Sequence, residues 1–274
     1  MTLARCPECL SPLTHGGVDL ECGSCPRVYR VVAGVPRLLL ADQLTGLNRR
    51  FRRIYDGMSP VYDRMEPLFA RAFGGKDQAR GEVLAPLAFT EGCAVLDVGC
   101  GTGTMFDHYP LPLDRMSVHG VDLSWGQIVR ARRKADRRGW PVELAQASAE
   151  QLPFADATFE VVYHMGGINF FSSPSRAITE MLRVAKPGAT LSIVDEAPGV
   201  VGPTRVFSRI GLEKVDRAVL RVMWSGPEGE RAFLDRDDRD PASWAPEGTT
   251  DVALDTVWNG LGFRLSFRKP EANG

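Results

Sequence analysis

The stretch VLDVGCGTG, residues 95–103, constrains the fold of this chain more than any other segment. An apolar run ends in glycines at Gly99, Gly101 and Gly103, and a helix is expected to begin near Thr104. A buried strand that turns through glycines into a helix lets a ligand approach the backbone and presents free N–H groups to it. Thr104 stands where a dinucleotide fingerprint needs glycine or alanine, which argues against NAD and FAD. The same alternation continues downstream. CAVLDVG, MSVHGVDLS, PVELAQAS, ATFEVVYHM and ATLSIVDE read as strands. Between them lie the helix WGQIVRARRKADRRG, capped by Ser124 and closed by Gly139, and the helix SPSRAITEMLRVAKPG, capped by Ser173 and stopped at Pro187-Gly188. Strands alternating with helices predict an α/β fold, a doubly wound parallel sheet covered by helices.

The flanks divide the chain into units. Residues 1–40 form a small unit in which two CxxC turns precede the alternating segment RVYRVVAGVPRLLL, as in a β-ribbon. Residues 41–50 read as a polar linker and 51–274 as the main domain. NRRFRRIYDGMSPVYDRMEPLFARAF predicts helical pieces interrupted at Gly57 and Pro60, followed by a further helix in KDQARGEVLAPLAF. Residues 199–247 are less regular, a lid or insertion with an amphipathic helix over 204–223 that either closes over an acceptor or packs permanently on the sheet. TTDVALDTVWNGLG reads as a last helix and FRLSFRK as a last strand.

Four cysteines stand in CPEC and CGSC: Cys6, Cys9, Cys22 and Cys25. The chain shows neither the features of a signal peptide nor an apolar run of the roughly 18–20 residues that a membrane span needs. A cytoplasmic location is therefore expected, where thiols stay reduced and paired CxxC motifs indicate metal. Four thiolates make a closed tetrahedral set suited to a structural Zn²⁺, with no open position for chemistry. With a formal net charge of −1, the bulk electrostatics do not point to nucleic acid. Two basic runs, NRRFRR and RARRKADRR, are either solvated helix faces or an RNA-binding surface.

Asp122 ends the second strand, where an acid in a doubly wound sheet faces the ribose hydroxyls of a ligand lying over the first strand; its alternative role is a helix cap. VLDVGCGTG, GVDLS, ASAEQLPFADATFEVVYH and MLRVAKPGATLSIVDE, in this order, closely resemble class I S-adenosylmethionine-dependent methyltransferases over residues 76–195. YDGMSPVYD and LPFADATFEVV resemble the branch containing the ubiquinone and menaquinone biosynthesis methyltransferases. The resemblance implies a Rossmann-like, seven-stranded methyltransferase sheet closed by FRLSFRK, behind a small N-terminal zinc ribbon. It implies that Asp97, Gly99, Gly101 and Gly103 wrap the methionine part of the cofactor, with Cys100 a small residue in the turn. Asp122 then holds the ribose, Leu123 packs on the adenine, and Ser148-Ala149-Glu150 lines the adenine edge, with Ser148 where the family usually has aspartate. Tyr55 and Tyr62 fall where the family's N-terminal helix closes over the cofactor.

His164, ending strand four, is placed either as a general base or as a wall of the cofactor pocket; His108 and His119 are weaker candidates. In GGINFF, Asn169 is expected as a polar handle and Phe170 as a wall of an acceptor pocket. The expected activity is methyl transfer to a small, partly apolar metabolite. The N-terminal ribbon also resembles the zinc-binding head of rRNA guanine-N1 methyltransferases and the zinc-ribbon activator subunit of RNA and protein methyltransferases. That second resemblance keeps an rRNA or tRNA base as the alternative acceptor, and a cofactor-binding scaffold without catalysis as a third reading.

Overall fold

The computed structural model describes residues 2–197 and 240–271. The expected helix over 204–223, and with it most of the possible lid, lies outside the described residues. Near the N-terminus, β1 (Leu13–Gly16), β2 (Asp19–Cys22) and β3 (Val28–Tyr29) form a three-stranded antiparallel sheet. The hairpin of β4 (Val31–Val32) and β5 (Val35–Leu38) follows, turning through Ala33 and Gly34, both at positive φ.

Then come α1 (Gly46–Ala72), α2 (Lys76–Leu84), β6 (Ala94–Val98), β7 (Ser117–Asp122), α3 (Trp125–Arg138) and β8 (Val142–Ala147). The chain continues through β9 (Val161–Met165), α4 (Pro174–Val184), β10 (Thr190–Glu196), β11 (Thr250–Val257) and β12 (Gly262–Arg268). One sheet runs β11-β12-β10-β9-β6-β7-β8-β5-β4. Its centre, β8-β7-β6-β9-β10, is parallel, and β12 enters antiparallel between β10 and β11. The strand order reverses at β6, whose neighbours are β7 and β9, and this opens a crevice at the carboxyl ends of the strands.

The expected sheet of seven strands is thus nine, because the N-terminal hairpin extends it: Arg37 and Leu38 of β5 pair in parallel with Gln146 and Ala147 of β8. Strand alternation distributes the core between the two faces. Leu96 and Val98 join the α4 side with Ile178, Met181 and Val184, while Val95 joins the α3 side with Ile128, Ala131 and Ala135. The ribbon is part of the first cluster through Cys6, Leu20, Tyr29 and Leu38, which pack with Leu152 and Phe154.

Three sequence expectations are corrected. The segment 46–72 is one helix running through Gly57, Pro60 and Pro67 rather than interrupted pieces. A proline removes one helical hydrogen bond, and side-chain tethers to two neighbouring loops, described below, hold the helix together across it. The segment after the glycine turn is a short 3-10 turn, Thr104–His108, because Pro110 and Pro112 follow and bar a longer helix. The last predicted helix, TTDVALDTVWNGLG, is instead β11 and a tight turn. Thr250, Val252, Thr256 and Val257 are β-branched, and Asn259 and Gly260 take positive φ to reverse the chain into β12.

Leu38 is fully buried where β5 meets the main sheet. Leu38→Ala should lower stability by about 2–4 kcal/mol in chemical denaturation of the full chain. A change within error would show that the ribbon strand unfolds independently of the sheet.

Candidate active site

The carboxyl ends of the parallel strands converge on a cavity of about 280 Å³, roofed by α1. Asp97, Val121, Asp122, Ala147, His164 and Glu196 line it from the strands, and Phe51, Ile54, Tyr55, Met58 and Tyr62 from the helix.

Backbone hydrogen bonds fix the glycine turn beneath it. Gly99 and Cys100 N–H both donate to the Val121 carbonyl, at 2.8 and 3.0 Å. Gly99 has φ 78°, and a Cβ there would sit 3.1 Å from the His164 ring, so glycine is required twice over at this position. Asp122 joins this turn to the start of α3: Oδ2 accepts Gly101 N–H at 2.8 Å and Oδ1 accepts Ser124 N–H at 2.7 Å. Ser124 caps α3 as expected, its Oγ accepting Gln127 N–H at 3.2 Å.

Two aspartates of α1 secure the roof. Asp56 Oδ1 accepts from Ser124 Oγ at 2.6 Å and from Gly126 N–H at 2.8 Å, and Asp63 accepts from Thr102 Oγ1 at 2.5 Å. Gly126 permits this approach, since a Cβ there would lie 2.6 Å from Ser59 Oγ.

Several buried polar atoms on the cavity wall lack a partner among the described residues: Asp97 Oδ2, His164 Nε2 and both amide atoms of Gln127. A polar ligand would satisfy them. Burial pushes the Asp97 carboxyl up to about 7, although a hydrogen bond from Tyr163 opposes the shift. Burial likewise raises Asp122 to about 6 against the pull of the Ser124 and Gly101 N–H groups. His164 Nδ1 lies 2.6 Å from the Val98 carbonyl, so the ring proton sits on Nδ1 and Nε2 keeps its lone pair. Burial holds the His164 pKa below its ordinary value, which keeps the ring neutral.

The other residues singled out in the sequence divide cleanly. Tyr55, Tyr62, Cys100, Gly101, Leu123, Ser148, Ala149, Glu150 and Phe170 all line the cavity. Gly103 and Asn169 do not. Gly103, at φ 73°, shapes the start of the 3-10 turn, where a Cβ would press on Phe106 at 2.9 Å. Asn169 is buried behind the wall, donating from Nδ2 to Asp195 Oδ2 at 2.8 Å and to the Glu196 carbonyl at 3.0 Å. His108 pairs with Asp77 and His119 bonds Ser117 Oγ, and neither lines the cavity.

Sequence reasoning assigned no role to Glu196, Arg52, Arg80 or Gln127, all on the wall. Glu196 did carry a signal, since it ends a parallel strand at the ligand side of the sheet. Arg52 lay inside a run read as a basic surface. Three of the six cations in the second basic run pair with acids of the chain: Arg132 with Asp136 at 2.6 Å, Lys134 with Asp63 at 3.5 Å and Arg138 with Asp107.

The four cysteines form a separate cluster, with all Sγ atoms within 4.8 Å of one another. The Cys6–Cys25, Cys9–Cys22 and Cys9–Cys25 separations are 3.7, 3.4 and 3.8 Å. A tetrahedron with Zn–S bonds of about 2.3 Å has edges of about 3.8 Å, so the set fits such an ion. Cys6 is buried with its Sγ 3.1 Å from Tyr29 Oη. None of the four lines the cavity, but the ribbon reaches its margin by two routes. Gln151 donates to the Pro7 carbonyl inside the first CxxC turn. Arg37 donates to Gln146 Oε1 at 2.9 Å, and Gln146 donates to the Leu123 carbonyl at 3.0 Å.

A family model described as a methyltransferase domain matches residues 96–193. Demethylmenaquinone methyltransferase of Renibacterium salmoninarum is 30% identical over 217 residues, covering 76% of this chain and 87% of the relative. This chain belongs to the class I S-adenosylmethionine-dependent methyltransferases. The methyltransferase is also similar to phosphatidylethanolamine N-methyltransferase of Cereibacter sphaeroides, at 34% identity over 54% of this chain and 72% of the relative. Among solved structures, one concerning conversion of a disulfide bond into a thioacetal group during echinomycin biosynthesis superposes with a TM-score of 0.55. It is 24% identical, over 84% of this chain and 95% of its own, and supports the Rossmann-like α/β fold of the methyltransferase.

The raised carboxyls make a pH prediction. Both folded values lie above that of an unfolded aspartate, about 3.9, so between about pH 4 and pH 6 these groups are protonated in the folded chain while ionised in the unfolded one. Their contribution to stability therefore falls as pH rises from about 4 to about 7. A cationic ligand favours the ionised forms, so calorimetry should show S-adenosylmethionine binding about tenfold tighter at pH 8 than at pH 6. Asp97→Asn should remove most of that dependence; an unchanged slope in this variant would exclude Asp97 as its source.

Proposed function

We propose that the methyltransferase acts on a small, partly apolar acceptor built on a quinol-like aromatic ring. The observation that carries this reading is the composition of the wall facing the carboxylates. Ile54, Met58 and two stacked aromatic pairs line the same cavity as Asp97 and Asp122. Phe51 stacks on Phe170 with centroids 4.3 Å apart, and Phe73 on Trp258 at 4.5 Å. Flat apolar surfaces of this kind suit a planar ring. The similarity to a demethylmenaquinone methyltransferase supports the same acceptor class. Pairing of the second basic run with acids of the same chain favours a small molecule over RNA.

Asp97 and the turn Gly99-Cys100-Gly101 are assigned to the methionine end of the cofactor, where Asp97 offers an unpartnered carboxylate oxygen to its ammonium group. Asp122 keeps lone pairs for two ribose hydroxyls beyond its two backbone bonds. Leu123 packs on the adenine, with Ser148, Ala149 and Glu150 along its edge. Tyr55 and Tyr62 close over it from α1. The cofactor supplies an electrophilic methyl group with its own leaving group, so the chain mainly holds the acceptor in line. His164 is assigned to the cofactor pocket, where its neutral Nε2 accepts a hydrogen bond.

Cys6, Cys9, Cys22 and Cys25 are assigned one structural Zn²⁺ that folds the ribbon and takes no part in methyl transfer. Cys22→Ser should release the metal, read by atomic absorption of the purified chain; retention of one full equivalent would show the ligand set to be wrong.

With methyl-labelled cofactor and a short-chain prenylated 1,4-naphthohydroquinone, label should appear in the organic extract. Label found instead in added rRNA, with none in the quinol, would overturn the small-molecule reading.

A further inference from the structure

The rim of the cavity beyond the cofactor end is organised by Asp195 and Glu196, the last two residues of β10. Asp195 is fully buried and takes four N–H donors: Gly167 N at 3.1 Å, Asn169 N at 2.9 Å, Asn169 Nδ2 at 2.8 Å and Glu196 N at 2.9 Å. Those bonds commit its carboxylate to holding the loop 166–170, which carries Phe170 toward the ring slot. Glu196 is held differently. Its backbone is bonded on both sides, the N–H to Asp195 and the carbonyl to Asn169 Nδ2, while its side chain lines the cavity. The anchored Asp195 thereby presents a second carboxylate to the apolar pocket.

We propose that Glu196 is the general base that takes a hydroxyl proton from the aromatic acceptor, an assignment that rests on the quinol-like acceptor proposed above. The acceptor O–H bond breaks, its electron pair stays on oxygen and spreads into the ring, and the proton becomes the O–H of Glu196. The ring carbon then takes the methyl group as the methyl–sulfur bond of the sulfonium breaks, its electron pair staying on sulfur; the ring carbon's own proton moves to the acceptor oxygen, so the net proton released to solvent is the one held by Glu196.

The surroundings suit this task. Burial first, then the neighbouring Asp195 carboxylate and a side-chain hydrogen bond to it, raise the Glu196 pKa well above the ordinary carboxylate range, so the group has the affinity for a proton that a base needs once it is ionised. Among the described residues, Asp195 adjoins it on its own strand, Tyr55 on α1 and His164 on β9 share its cavity with Asp97, Asp122 and Glu150, and Arg52, paired with Asp56 at 4.0 Å, and Arg80 line the same cavity. His164 is the poorer base, since burial lowers its pKa.

The test uses the full chain and its Glu196→Gln and Glu196→Asp variants, with a short-chain prenylated 1,4-naphthohydroquinone as acceptor and phosphatidylethanolamine vesicles as the amine arm. Glu196→Gln should bind S-adenosylmethionine with unchanged affinity by calorimetry while kcat falls by about 100-fold or more. At saturating cofactor and acceptor, so that the Asp97 and Asp122 dependence of binding drops out, the wild-type kcat should rise with pH through a single ionisation above the ordinary carboxylate range. That limb should vanish in Glu196→Gln and return in Glu196→Asp with part of the rate. A Gln variant within about threefold of wild-type kcat overturns the base assignment while leaving the acceptor class standing. Loss of cofactor binding in Glu196→Gln overturns it in favour of a structural role. Methyl transfer to the amine, with none to the quinol, overturns the acceptor class and this assignment together.

Discussion

The Asp122 carboxylate joins two loops that the sheet alone would leave independent. One oxygen takes the N–H of Gly101 in the glycine turn, and the other takes the N–H of Ser124 at the start of α3. Ser124 in turn donates its hydroxyl to Asp56, which brings α1 down over the same loops. A buried carboxylate is costly, and charge-assisted N–H bonds are the standard way to offset that cost. The geometry of the turn, the entry of α3 and the seating of the roof are therefore one connected arrangement. A change in the Asp122 side chain reaches all three.

The cavity has a second anchored carboxylate at its other end. Asp195 holds the loop after β9 with three N–H bonds, as Asp122 holds the turn after β6. In both places a strand-end aspartate accepts N–H donors from a neighbouring loop, and the shape of that loop follows. The two ends of the cavity are thus built by the same device, on the loops that follow β6 and β9, the strands on either side of the topological switch.

The parts legible in the sequence were those with local periodicity or fixed spacing. The strand–glycine–helix pattern, the acid at the end of β7, the Ser124 cap and the paired cysteines are all short-range signals, and the cavity forms where they predict. What escaped depended on contacts distant in sequence. Asn169 looked like a polar handle, but its amide faces Asp195, 26 residues away, and the Glu196 backbone. The helix expected over β11 became a strand because pairing with β12 outweighs its helical pattern. Continuity of α1 across Pro60 depends on tethers from Asp56 and Asp63 to loops 39 to 70 residues away. Glu196 sat at the readable end of a strand, yet only the folded pocket places it in one cavity with the aromatic residues Phe51 and Phe170.

The parallel pairing of β5 with β8 has a consequence for how the chain can be divided. Without residues 31–38, β8 would become the border of the sheet, and its buried carboxyl end, Gln146 and Ala147, would lose the partners Arg37 and Leu38. Such a border is a template for pairing with another chain. The segment 1–40 therefore supplies more than a fold around four thiols: its last strand completes the sheet at the cavity end of β8, and a fragment cut at residue 41 would open that end of the border beside Ala147 on the cavity wall.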